Sequence, residues 1–269
     1  MNVENQMTGN PHSDNSSLAA NGGDFARTVN VDGAAVDLGR AVRCGFPEVV
    51  FGEGKPPELV VDILKTQRAA GQRSLVTRVN NEQVQAVQDA FPEVQYHQLA
   101  RTLTLTLPDE ILPDIVSGME HAADSRLQVA VVTAGSSDAA VAAEAAETLR
   151  WMGVHTISIC DVGVAGPQRL LPWVPVLQRM QVVVCVAGME AALPSVIGGY
   201  LSCPVIGVPT SVGYGASFQG VTAMLSMLTC CASNVVTVNI DAGFRGGYVA
   251  GLIVKGSAKS PNSQLDSET

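Results

Sequence analysis

Cys231 stands eight residues before Asn239-Ile240-Asp241, and a glycine-rich segment from Gly243 to Gly247, expected as a turn, follows. A thiolate at such a place is a soft nucleophile, able to add to electron-poor carbon and to leave again. A free cysteine is more often an inert small hydrophobe. What singles out Cys231 is the strand after it, which leads into Asn239 and Asp241 and could bring the thiol to the ligand end of a sheet. Upstream, Gly135-Ser136-Ser137-Asp138 follows an apolar run and precedes an alanine-rich helix. Hydroxyl and carboxylate side chains there cap the helix, and the same first amides make a phosphate cradle. Glu190 interrupts an apolar stretch directly after Gly188-Met189, where an unpaired carboxylate is costly to bury. It either caps the next helix or meets a ligand. Asp161 and Asp241 each end an expected strand, as turn formers or as site carboxylates. Gly213-Tyr214-Gly215 permits close ligand approach or makes an ordinary turn. Cys160 and Cys185 fall in apolar strands and are expected in the core, while Cys44 and Cys203 have no distinguishing context. The four histidines are scattered, so neither a Ser/His/Asp triad nor a His-based metal site is indicated.

These residues need a scaffold, and the hydrophobic pattern supplies two. From Arg126 onward, strands are expected at Leu127 to Thr133, Thr156 to Asp161, Val182 to Val186, Pro204 to Val208 and Val235 to Ile240. Helices are expected between them at Ala139 to Trp151, around Arg169 to Gln178, Ala191 to Leu201 and Ser217 to Leu228. Repeated strand-helix units imply a doubly wound parallel sheet in three layers, an α/β architecture whose ligands bind beyond the carboxyl ends of the strands. Every loop named above lies at those ends. Before it, helices at Val36 to Cys44, Pro57 to Ala70 and Glu82 to Ala90, with strands at Glu48 to Gly52, Leu75 to Val79 and within Gln95 to Leu107, form a small α+β domain. The expected division is a disordered tail at 1–25, the small domain at 26–125, the larger domain at 126–255 and a second disordered tail at 256–269.

With 269 residues, 46% of them hydrophobic and 15% charged, the chain can bury a large core. A net charge of −9 argues against nucleic acid as a partner, because no basic stripe is present to displace counterions. An anionic small molecule held by backbone amides remains compatible with that charge. The N-terminus lacks a basic region followed by an apolar core, so no export signal and a cytoplasmic location are expected. The most apolar segment, Val182 to Tyr200, is broken by Glu190 and Pro194 and fails as a membrane span.

Taken jointly, the motifs resemble those of the LarB family across most of residues 37 to 254. Asp37, Arg40, Arg43-Cys-Gly-Phe-Pro-Glu-Val and Glu53-Gly54-Lys55 carry the resemblance at the N-terminal side. Ala134-Gly-Ser-Ser-Asp138, Asp161-Val-Gly-Val-Ala-Gly166, Gly188-Met-Glu-Ala-Ala-Leu-Pro194, Val208-Pro-Thr-Ser-Val-Gly-Tyr-Gly-Ala216, Cys231 and Asn239-Ile-Asp241 carry it at the C-terminal side. The resemblance implies an AIR-carboxylase-like domain at 126–255. It implies carboxylation of the pyridinium ring of nicotinate adenine dinucleotide with phosphoanhydride hydrolysis, giving a pyridinium biscarboxylate mononucleotide and AMP for the nickel-pincer cofactor. Cys231 then corresponds to the family's nucleophile. Asp138 and Glu190 are candidates for the ring-proton base or for contact with Mg2+, and carbon dioxide or bicarbonate is the co-substrate. Gly135, Ser136 and Ser137 would hold the pyridinium carboxylate or a phosphate, and Tyr214 would stack on a ring. Asp161, Gly188, Met189, Gly215, Asn239 and Asp241 complete the expected substrate contacts. Carboxylases of this fold are homo-oligomers, so an octamer is expected.

The chain departs from the family twice. Gln168 stands where the family usually has a histidine after Val-Ala-Gly and one further residue, and Arg245 places a cation where the family commonly has glycine. A purine-pathway AIR carboxylase or mutase is the enzymatic alternative. A nucleotide-binding scaffold without turnover is the non-enzymatic one.

Overall fold

A computed structural model of the protein describes residues 24–258. The expected tails therefore lie almost wholly outside the described residues. The small domain opens with an antiparallel hairpin of β1 (Thr28–Val31) and β2 (Ala34–Asp37). Helix α1 (Arg40–Cys44) follows. The helix expected from Val36 is thus shorter, and its first residues are strand; the signal that marks the hairpin is Asp32-Gly33, with Gly33 at φ +87°. Strand β3 (Val50–Phe51), helix α2 (Pro57–Ala69), β4 (Ser74–Thr77), α3 (Asn81–Ala90), β5 (Gln95–His97) and β6 (Thr102–Leu105) complete the unit. The four strands β3 to β6 form one mixed sheet in the order β3-β4-β6-β5. Helix α2 begins with Pro57 at its first turn and buries Val60, Val61, Ile63 and Leu64 against that sheet. Helix α3 starts in a capping box: Asn80 Oδ1 accepts from the Gln83 amide at 2.9 Å, and Gln83 Oε1 accepts from the Asn80 amide at 3.0 Å. The Gln83 amide group also donates to the Gly52 carbonyl at 2.7 Å, pinning the turn after β3 beside the helix.

The larger sheet contains β7 (Ile115–Ser117), β8 (Val129–Thr133), β9 (Thr156–Ile159), β10 (Val182–Ala187), β11 (Val205–Pro209) and β12 (Val235–Thr237), all paired in parallel in the order β12-β11-β10-β8-β9-β7. Its helices are α4 (Ala139–Trp151), α5 (Val174–Leu177), α6 (Leu193–Gly198), α7 (Val221–Leu228) and α8 (Gly243–Ala258). All residues of β8, β10 and β11 are buried, as befits strands covered on both faces. In β10 the side chains alternate strictly. Val183, Cys185 and Ala187 enter the core under α5, α6 and α7; Val182, Val184 and Val186 enter the core under α4 and α8.

Three findings differ from expectation. Strand β7 is too short and too polar in context to register as a strand, yet it pairs with β9 at the sheet's edge. Within the segment Asp241 to Gly247, expected as a loop, Gly243 to Gly247 open the sixteen-residue helix α8. Its glycines permit close packing rather than a turn: a Cβ at Gly247 would collide with the Ala145 carbonyl oxygen, and one at Gly246 would sit 2.6 Å from a Val208 methyl. Cys160, expected in the core, is exposed just past the end of β9; Cys185 is buried as expected. The two domains share one core, since Phe46 of the small domain lies among α4 and α8 residues, with ring centroids 5.7 Å from Trp151 and 5.8 Å from Tyr248.

Candidate active site at the carboxyl edge

Strand β8 connects to α4 on one face of the sheet and its neighbour β10 connects to α6 on the other. A crevice opens where the two loops part, the position at which doubly wound sheets bind ligands. A cavity of about 270 Å³ occupies it, lined by Gly135, Ser137, Asp138, Gly163, Arg169, Gly188, Met189, Glu190 and neighbouring apolar residues.

Asp138 lies at the base of this cavity and is only 3% exposed. The Thr210 hydroxyl donates to its Oδ1 at 2.7 Å and the Gly135 amide donates to its Oδ2 at 3.0 Å. Burial pushes the carboxyl above the ordinary aspartate range, against the pull of the hydrogen bonds from Thr210, Gly135 and Gly188, and the charge of Asp241 pushes it further. A carboxyl held in this way is suited to proton transfer.

The loop after β10 is shaped around Glu190. Met189 and Ala191, on either side of it, both take left-handed backbone conformations, with φ of 51° and 50°. Such geometry is costly for residues with a Cβ. The loop is fixed by the Met189 amide, which donates to the Val212 carbonyl at 2.9 Å. Gly188 has no alternative, because a Cβ there would meet the Val212 oxygen at 2.5 Å and the Thr210 hydroxyl at 2.6 Å. Glu190 is exposed at the cavity's rim.

Beyond β9, the Asp161 amide donates to the Thr133 hydroxyl at 3.0 Å, and the Asp161 carboxylate accepts from Arg169 at 2.6 Å. Arg169 thereby reaches the cavity wall. On the other side, Asp241 Oδ1 accepts from the Ser211 amide at 2.8 Å. Asn239 lines a separate cavity toward the small domain, and its Oδ1 accepts from the Ile240 amide at 2.9 Å.

Residues 28–107 match the family described as LarB/PurE-like N-terminal domain, and residues 128–269 match AIR carboxylase. The chain belongs to the LarB family. An uncharacterized protein of Methanocaldococcus jannaschii, MJ0165, is 37% identical over 230 residues, which span 82% of this chain and 83% of that protein. The crystal structure of a single-residue variant of Treponema denticola PurE2 overlaps 49% of this chain and 91% of its own, at 17% identity and a TM-score of 0.37. The domain order of this LarB-family chain places a carboxylase-type domain behind the small α+β unit. Among the described residues no helix is long and apolar enough to cross a membrane.

Within this LarB-family chain the fold brings together Gly135, Ser137, Asp138, Gly188, Met189 and Glu190, with exposed Ser136 on the same turn. Asp161 joins through Arg169, and Asp241 through its charge on Asp138. Tyr214 is 82% exposed and, with Gly215, stands outside the cavity lining. Cys231 does not face the carboxyl edge within its own chain. It follows α7, which returns to the amino edge, and Asn234 three residues later donates to the carbonyls of Gly198, Leu201 and Cys203, between the end of α6 and the start of β11. The thiol is exposed there, separated from Asp138 by the length of a strand, on the order of 15 Å for five residues. Sequence reasoning missed Thr210 and Arg169. Thr210 is a polar residue directly after the apolar run of β11, and that break in pattern was its signal.

Proposed function

We propose that the protein carboxylates the pyridinium ring of nicotinate adenine dinucleotide and hydrolyses its phosphoanhydride, giving pyridinium-3,5-biscarboxylate mononucleotide and AMP. The observation that carries this reading is Asp138, a buried carboxyl with a raised pKa at the crevice of a LarB-family chain. Addition of the Cys231 thiolate to C4 of the ring would leave an electron-rich enamine, and C5 would attack carbon dioxide. Asp138 would then take the C5 proton, and departure of the thiolate would restore the aromatic ring. Gly135, Ser136 and Ser137 would hold the ring carboxylate or a phosphate at the first turn before α4. Arg169, kept at the cavity wall by Asp161, would neutralise the incoming carboxylate.

This chemistry requires Cys231 to come from another copy of the chain, because its own Asp138 is at the opposite edge of the sheet. Assembly into an octamer, each site taking Asp138 from one protomer and Cys231 from another, satisfies that requirement. Support comes from the surface around Cys231, where Leu225 and Leu228 on α7 and Val236 on the edge strand β12 are more than half exposed. Mg2+ would assist phosphoanhydride cleavage. Among the described residues no three His, Cys, Asp or Glu side chains converge as a resident metal site. The donor set therefore suits a cation delivered with the substrate phosphates, with Glu190 the carboxylate at hand.

Mass spectrometry after incubation with nicotinate adenine dinucleotide, Mg2+ and labelled bicarbonate tests the reading. AMP and a mononucleotide carrying one labelled carboxylate are expected. Cys231→Ser and Asp138→Asn are each expected to be inactive, and refolding them together restores about one site in four by random assortment. Full activity of Cys231→Ser alone would sink the covalent route. The separation of Cys231 from Asp138 favours one second reading, a carboxylase or mutase acting on a purine mononucleotide, in which that cysteine has no role. Turnover of aminoimidazole ribonucleotide with Cys231→Ser fully active would select it.

A further inference from the structure

The geometry points to a second subsite on the same edge: the cleft between the small domain and the first turn of α8 holds the non-reacting nucleoside monophosphate half of the dinucleotide, with Arg245 and Arg78 as its anion contacts. This rests on the dinucleotide reading above and assigns that substrate's other end. The cleft is a cavity of about 310 Å³ lined by Phe51, Arg78, Glu144, Asn239, Phe244 and Arg245. It is comparable in size to the Asp138 cavity, and each falls near the lower end of the range for small-molecule sites. Asp241 stands between the two. Its carboxylate acts on Asp138, while its backbone carbonyl accepts from Arg78 Nη2 at 2.5 Å. A mononucleotide has use for only one of these cavities; a dinucleotide spans both.

Two costs are retained in this cleft. Arg245 lies in the first turn of α8, where the helix dipole disfavours a cation, and no carboxylate among the described residues is within ion-pair distance of it. Arg78 holds a left-handed backbone at φ 55°. Its ion pairs are long, 3.7 Å to Glu144 and 3.8 Å to Glu53, and its guanidinium sits 5.9 Å from the Phe51 ring centroid. Glu144 accepts from the Phe244 amide at 3.0 Å and also from Gly243, so the start of α8 is already capped and the arginines are the groups left to receive an anion. A phosphate between Arg78 and Arg245 would make charge-assisted bonds to both and relieve the unfavourable placement of Arg245. Phe51 and Phe244 offer faces for a base.

Calorimetry with AMP as the probe, on the full chain, reads the subsite without turnover. Arg245→Ala is expected to weaken AMP binding at least tenfold and Arg245→Lys to recover part of it. Phe51→Ala is expected to weaken AMP while leaving pyrophosphate affinity unchanged. AMP bound as tightly by Arg245→Ala as by the wild type, or not bound by the wild type at millimolar concentration, overturns the assignment. Arginine-dependent AMP binding in a protein that fixes no labelled bicarbonate keeps the subsite and sinks the carboxylation. Carboxylation with AMP affinity indifferent to Arg245 does the reverse.

Discussion

Thr210→Val isolates the hydrogen bond that governs Asp138. Thr210 is fully buried, and its hydroxyl is 2.7 Å from Asp138 Oδ1, so valine keeps the volume and removes one donor from a carboxyl that has few. A hydrogen bond to a charged group contributes about 1.5–3 kcal/mol, and one to a neutral partner about 0.5–1.5 kcal/mol. The cost of the variant therefore depends on whether Asp138 is ionised. Because burial raises the folded-state pKa of Asp138 above its unfolded value, the stability linked to this group is fully present below the unfolded pKa and is lost as pH rises through the folded one. The Thr210 bond acts the other way, favouring the charged form, so its removal raises the folded pKa further and makes that loss larger. Urea denaturation at several pH values should show Thr210→Val costing about 2 kcal/mol near pH 8, a fall of about 4–8 °C in Tm for a protein of this size, and roughly half as much near pH 4. The ascending limb of the pH–rate profile should move to higher pH in the same variant. A cost that is equal at both pH values would refute an ionised Asp138 held by Thr210, whatever the activity.

Asp138→Asn should preserve the fold and reduce labelled-carboxylate incorporation about 10²–10⁴-fold, the usual contribution of a proton-transfer group, measured by single-turnover mass spectrometry. Gly247→Ala drives a methyl into the Ala145 carbonyl oxygen and should lower stability by about 1–3 kcal/mol, read by thermal denaturation; an unchanged Tm would show that α4 and α8 pack less closely than described. Leu228→Glu puts a charge on the exposed apolar face beside Cys231 and should reduce the mass of the proposed assembly in analytical ultracentrifugation, with activity falling in parallel.

Much of the larger domain was legible because its strands are buried on both faces and its helices are regularly spaced. Ala139–Trp151 matches its expected helix at both ends, with Leu149 and Trp151 fully buried. The loops carrying Asp138, Asp161, Glu190 and Asp241 could be placed at the carboxyl edge for the same reason. What escaped was structure whose residues contradict local propensity. Helix α8 has glycine at 243, 246, 247, 251 and 256, a composition that argues against helix unless tertiary packing repays it. At Gly243, Gly246, Gly247 and Gly251, α4, Met152 just past its end and the sheet approach the backbone so closely that larger side chains would not fit, whereas Gly256 faces open space. The position of Cys231 escaped for a different reason. Proximity in sequence to Asn239 and Asp241 suggested proximity in space, but β12 lies between them and carries the chain from one edge of the sheet to the other.

Backbone strain provides an argument for the site that is independent of cavities and of family. Among the described residues, nine other than glycine take left-handed backbones: Arg78, Arg101, Asp109, Asp161, Met189, Ala191, Phe218, Gln219 and Asp241. Each such position costs on the order of 1 kcal/mol and persists only where the surroundings hold it. Six of them belong to the loops that follow β9, β10, β11 and β12, and a single one, Asp109, belongs to a segment that enters the larger sheet at its amino edge. Two more, Arg78 and Arg101, come from the small domain and line a cavity that contains Asp241. Only Asp109 lies elsewhere. Strain distributed by chance or by loop length would not favour one end of the sheet so strongly, and it would not include two arginines of another domain turned toward that end. This distribution supports the reading that the small domain is part of the proposed site. A variant that relaxes Arg78, such as Arg78→Gly, should separate the two roles: relief of backbone strain favours stability, while loss of the guanidinium removes the ion-pair partner of buried Glu144, leaving only the charge of Arg101, and weakens AMP binding. Unaltered AMP affinity in that variant would mean that the small domain contacts the edge without serving it.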